Sequence, residues 1–207
     1  LQLGAYHEAG HTVMTLLFKE LFDVRKVTIT ANSNGAGGYT LFTPKERYSN
    51  YPTKKFMLAN LITALGGRAA EVMLYSKGQY QEEVLNYENE FLFPEIKDLD
   101  ITTGASNDIE VATNIATNMV TKWGLSKTIG PLKYGEDEGS PFLGRSAAAP
   151  SQNMSEETAK LIDKEVKSII DSCYSKAETI LKENLDKLNV MADALLKYET
   201  IGVEQID

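Results

Sequence analysis

The stretch YHEAGHTV, residues 6–13, holds the only two histidines of the chain, His7 and His11, with Glu8 directly after the first. On an α-helix each residue turns about 100°, so four residues come back to within about 40° of the starting direction, one turn along. Both imidazoles can then converge on one ion at about 2.0–2.1 Å. Glu8 falls on the flank of that face, about 60° beyond His11, near enough to reach a water on the ion without being a ligand. The chemistry this allows is metal-dependent hydrolysis. Two neutral nitrogens hold zinc, the metal lowers the pKa of a water towards about 7, and the glutamate takes its proton. Ordinary residue frequencies produce this pattern by chance on the order of half a percent of the time in a chain this long.

Two histidines leave the ion short of a third protein ligand. The longer metzincin pattern supplies a histidine six residues after the second, but Leu17 stands there and Met14 replaces the glycine of that pattern. The third donor is therefore expected to be a carboxylate. Glu20 lies too far along the same helix to converge. Glu71, which ends ALGGRAAE (64–71), and Asp108, which ends TTGASND (102–108), both remain. Each has a plainer use: Glu71 as a surface or supporting group, Asp108 as a helix cap. Spacing does not choose between them. The single cysteine, Cys173, excludes an intrachain disulfide and a multi-cysteine metal site.

These groups need elements to hold them. The apolar residues Val13, Met14, Leu16, Leu17, Leu21 and Phe22 extend the first helix to about Phe22. VRKVTIT (24–30) alternates and is rich in β-branched residues, which predicts a strand; YTLFT (39–43) predicts a second, across the turn NSNGAGG. A long helix is expected over 54–75. Its paired Gly66 and Gly67 each cost about 1 kcal/mol relative to alanine, which close packing against another element would offset, a kink in the helix being the plainer alternative. A third helix is expected from Ser106–Asp108 to Trp123–Gly124. After it, Ser155 is placed to cap a helix whose Ile162, Val166, Ile169, Cys173, Ala177 and Ile180 form an apolar stripe, suited equally to packing on its own domain and to a subunit contact. A last helix covers about 186–198.

With 207 residues, 43% of them hydrophobic, the chain can bury a real core. A net charge of -8 argues against nucleic acid and anionic lipid as main partners. No run of about 18 uninterrupted apolar residues is present, so no membrane span is expected. A Walker-type glycine loop is also missing. A chain that begins at Leu1, already inside a helical pattern, is expected to be a piece of a longer protein.

The motifs occur in a particular order: His7-Glu8-Ala9-Gly10-His11, ALGGRAAE, TTGASND, MVTKWGLS (119–126), GPLKY (130–134), FLGR (142–145) and KYETI (197–201). In this, over nearly its whole length, the chain resembles the peptidase domain of FtsH-type proteases, the membrane-bound AAA family of bacteria, mitochondria and plastids. The resemblance implies a mainly α fold: a zincin-like peptidase domain with a small β-sheet or hairpin and a C-terminal helical subdomain. It implies Zn2+ held by His7, His11 and Asp108, with Glu8 as catalytic base and Glu71 orienting a ligand imidazole. It implies that the strand containing Gly38, Tyr39, Thr40 and Leu41 grips an extended polypeptide substrate through its backbone. ATP would be bound by an AAA domain outside this chain. Assembly would be as a homo-hexamer, or a hetero-hexamer with a paralogue. Anchoring, in a bacterial inner membrane or a mitochondrial or plastid membrane, would be by segments also outside it, leaving this portion soluble.

The resulting division is a zinc peptidase core over 1–134, a mobile loop over 135–154 and a C-terminal helical region over 155–207. Residues 77–100, acidic and aromatic, are longer than the connection the family leads one to expect and are taken as an insertion. A stand-alone zinc peptidase and an inactive oligomerisation scaffold are the competing readings, the scaffold disfavoured by the presence of Glu8.

Overall fold

A computed structural model of the chain describes residues 2–30, 37–76, 103–134 and 155–206. The proposed insertion at 77–100 and the expected loop at 135–154 lie outside the described residues. The fold is mainly α, with a small antiparallel sheet.

Helix α1 (Gln2–Leu17) carries eleven consecutive buried residues, Ala5 to Thr15, so it is enclosed on every side rather than amphipathic. It stops at Leu17, five residues short of the expected end. The chain turns there, with the Leu21 and Phe22 amides both donating to the Phe18 carbonyl. Leu21 and Phe22 are buried as the helical pattern suggests, but they reach the core from a turn and from strand β1 (Phe22–Thr28). Apolar spacing reports burial and does not say which element delivers it.

Strand β2 (Tyr39–Pro44) pairs with β1 and forms one edge of the sheet. The register slips between Val24 and Lys26, leaving Arg25 as a bulge. Side chains alternate along a strand, so Val24 and Val27, three apart, would otherwise face opposite ways. With the bulge, both pack against the hydrophobic core.

A short helix α2 (Glu46–Asn50) leads to α3 (Lys54–Ser76), the long helix expected from the sequence. By length and composition α3 could cross a membrane, but 72% of its apolar window is buried inside the fold. It is the core helix, contacted by α1, by α4 (Ser106–Thr121) and by α5 (Glu156–Glu183). Its glycines permit the close crossing with α1. A Cβ at Gly10 would lie 2.4 Å from the Gly66 carbonyl oxygen, so the two backbones touch. Steric fit therefore offsets the helix-propensity cost of this pair.

Ser155 caps α5, accepting from the Thr158 amide at 3.1 Å. The stripe on α5 faces α3 and α4, with Ile162, Cys173 and Ala177 buried there. Helix α6 (Leu185–Tyr198) packs on α1. Glu199 then takes a left-handed turn, φ 62°, and the chain enters a strand with no counterpart in the sequence reading, β3 (Thr200–Gly202). β3 pairs with β1 opposite β2, setting Ile201 beside Val27, and the chain continues into a single turn of helix, α7 (Val203–Ile206). The sheet order is β2-β1-β3.

Candidate metal centre

Three elements meet beside the middle of α1. His7 and His11 project from α1, Glu71 from α3 and Asp108 from the first turn of α4. The two rings stand nearly perpendicular, with their Nε2 atoms 3.1 Å apart. Asp108 Oδ2 closes the triangle, 2.8 Å from His7 Nε2 and 3.2 Å from His11 Nε2. Ligands of a tetrahedral ion with bonds of about 2.0–2.1 Å stand about 3.4 Å apart. The three observed spacings are close to that edge, on its short side.

The other ring nitrogens fix which atoms face the triangle. His11 Nδ1 lies 2.7 Å from the Thr63 carbonyl oxygen. A carbonyl only accepts, so Nδ1 carries the hydrogen and Nε2 of the neutral ring presents a lone pair. His7 Nδ1 donates to Glu71 Oε1 at 2.9 Å. Two imidazole lone pairs and a carboxylate oxygen therefore point at one another, a set of acceptors that a single cation satisfies together. A proton can bridge only part of it. Burial opposes charge on His7, but its bonds to Asp108 and Glu71 prevail and raise its pKa to about 9. Burial likewise opposes charge on Asp108, and the bonds from His11 and His7 prevail, holding it well below the usual carboxylate range. Both shifts express the same demand for positive charge at this point.

The two carboxylates left open by spacing occupy different places. Asp108 faces both Nε2 atoms. It does not cap its own helix, whose N-cap is Ala105 with no side-chain hydrogen bond. Glu71 is 2% exposed and meets His7 at Nδ1, the ring nitrogen turned away from the triangle. Behind it, Arg68 Nε stands 3.4 Å from Glu71 Oε2.

Glu8 is buried at the rim of a cleft of about 520 Å³, which it shares with both histidines and Asp108. The start of β2 lines the same cleft, beside Glu8. Gly38, Tyr39 and Thr40 line the cleft; Leu41 does not, and at 48% exposure it faces solvent. Thr40 also bonds to Glu8, its hydroxyl lying 2.7 Å from Oε2. Sequence reasoning assigned Thr40 to substrate and missed this contact. The signal available was strand alternation, which sets Thr40 and Phe42 on one face and Tyr39 and Leu41 on the other. Nothing in the sequence marks the Thr63 carbonyl.

Fold and donor set define the class, a metal-dependent hydrolase whose two histidines and the glutamate between them share one helix. The model of peptidase family M41 matches residues 2–81 and 88–207. Curated relatives named ATP-dependent zinc metalloprotease FtsH are similar over nearly the whole chain. The protein of Haemophilus influenzae is 46% identical over 202 residues, 98% of this chain and 28% of the relative. That of Buchnera aphidicola subsp. Baizongia pistaciae is 44% identical over 203 residues, 98% of this chain and 29% of its own. That of Caldicellulosiruptor bescii is 40% identical over 204 residues, 99% of this chain and 29% of its own. The chain belongs to peptidase family M41. It spans under a third of the length of these relatives, and the six residues 82–87 left out of the family match fall within the 77–100 stretch.

Proposed function

We propose that this chain is the zinc endopeptidase portion of a longer, membrane-anchored, ATP-dependent protease. The observation that carries the reading is the convergence of His7 Nε2, His11 Nε2 and Asp108 Oδ2 at 2.8–3.2 Å. These three atoms are assigned as the Zn2+ ligands, and Glu71 as the group that holds the His7 ring with Nε2 inward. Bound there, zinc supplies Lewis acidity towards a peptide carbonyl and acidifies a water. Glu8, beside the ligands and not among them, takes the proton of the attacking water and delivers it to the departing amine nitrogen. Thr63, through its carbonyl, keeps the His11 hydrogen on Nδ1.

The substrate is a polypeptide in extended form, laid along β2. That strand is a sheet edge and lines the cleft, so backbone pairing there would hold substrate beside Glu8 with little dependence on sequence. The names of the relatives support dependence on ATP and zinc. Substrates are unfolded or membrane proteins delivered by an AAA segment of the longer chain, which assembles as a hexamer.

Glu8→Gln in the full-length protein tests the assignment. Casein proteolysis is abolished while zinc stays near one per chain, because Glu8 is not a ligand. Loss of zinc from the variant, or retained proteolysis, removes Glu8 from its role.

A further inference from the structure

We infer that Thr40 is a positioning residue that aims the Glu8 carboxylate, and that it ties this aim to the strand proposed to hold substrate. The inference rests on the peptidase reading above and adds to it a residue acting through the base. Glu8 sits on α1 and Thr40 on β2, 32 residues away, and the Thr40 hydroxyl reaches Glu8 Oε2 at 2.7 Å. The same hydroxyl is 3.3 Å from the Glu8 backbone carbonyl, so it lies over both ends of the residue. A threonine hydroxyl has one hydrogen, and the shorter contact, to a carboxylate, is the stronger claim on it.

Two features make this more than an incidental contact. First, a glutamate has three rotatable side-chain bonds, and a base in the wrong rotamer is lost to catalysis. Among the described residues, the side-chain partner found for the Glu8 carboxylate is Thr40. Second, Thr40 belongs to the edge strand, where strand geometry separates its two roles. Its side chain turns to α1 while its backbone stays in the strand. A peptide pairing with β2 would steady the strand and, through the Thr40 hydroxyl, the base. The Thr40 side chain then serves Glu8 and leaves substrate contact to the backbone.

Thr40→Val keeps the β-branched shape and removes the hydroxyl; Thr40→Ser keeps the hydroxyl. In the full-length protein, Thr40→Val is expected to lower kcat roughly ten- to a hundredfold, the range for a hydrogen bond to a charged group. KM and zinc content should stay at wild-type values. Thr40→Ser should recover kcat to within a few fold. A crystal structure of Thr40→Val should show the Glu8 carboxylate turned from its present position. Wild-type kcat in Thr40→Val overturns the inference. So does a rise in KM alone, which would make Thr40 a substrate contact, or loss of zinc, which would make it structural. An equal defect in Thr40→Ser also rejects it. If Glu8→Gln itself stays active, the peptidase assignment has failed first, and the two failures are told apart.

Discussion

Glu71 accepts a hydrogen bond from His7 Nδ1 at 2.9 Å, while Asp108 stands 2.8 Å from Nε2 of the same ring. Opposite nitrogens of one imidazole thus meet two carboxylates, and their substitutions should differ. Glu71→Gln keeps an acceptor and loses the charge, so zinc affinity should fall about 10- to 100-fold. Asp108→Asn removes the inward carboxylate and should cost more. Competition with a chromogenic chelator measures both. The reverse order would make Glu71 the ligand.

Gly67 lies against both rings: a Cβ there would be 2.6 Å from His7 Nε2 and 2.7 Å from His11 Nε2. Gly67→Ala should displace the imidazoles and weaken zinc binding at least tenfold, while alanine's better helix propensity offsets part of the folding cost. Gly10→Ala meets backbone instead, at the Gly66 carbonyl. It must push α1 and α3 apart, and about 2–3 kcal/mol of destabilisation in urea unfolding is expected. Equal loss of stability with no loss of zinc in Gly67→Ala would refute the distinction.

Ile201, in β3, is 2% exposed and packs into the same core as α1 and α3. Ile201→Ala should destabilise the protein by about 2–4 kcal/mol. A change under 0.5 kcal/mol in the urea midpoint analysis would mean that β3 is an ornament on the sheet and not part of its support.

Burial raises the thiol pKa of Cys173 above its ordinary 9.0, with Lys176 pulling partly the other way. The unfolded thiol therefore ionises at lower pH than the folded one. This contribution to stability is complete below the ordinary value and is lost as pH rises through the folded value. At pH 8 iodoacetamide should label the native protein at least tenfold more slowly than the urea-unfolded chain. Equal rates, followed by mass spectrometry, would contradict the buried, protonated state.

Much of the fold could be read along the chain because it is set by local rules. The 54–75 pattern and the Ser155 cap carry their reasons within a few residues, and α3 and α5 form where expected. The limits of α1 and the existence of β3 could not be read this way. Leu21 and Phe22 continue an apolar pattern after the helix has ended, because burial alone shapes that pattern. Three residues, Thr200–Gly202, are too few for any periodicity, and they form a strand because β1 offers them an unpaired edge.

The candidate site divides on the same line. His7, Glu8 and His11 were legible because four residues make one helical turn, so their convergence is a property of local geometry. The placement of Glu71 and Asp108, 64 and 101 residues from His7, is not. Residue type allowed either one to face the metal. Which ring nitrogen each meets depends on how α3 and α4 cross α1, and so on the glycine contact that lets α3 approach. The Thr40–Glu8 bond depends in turn on the sheet register that sets β2 over the cleft. The sequence by itself determined that His7, Glu8 and His11 share one helix; packing between distant elements decided what surrounds them.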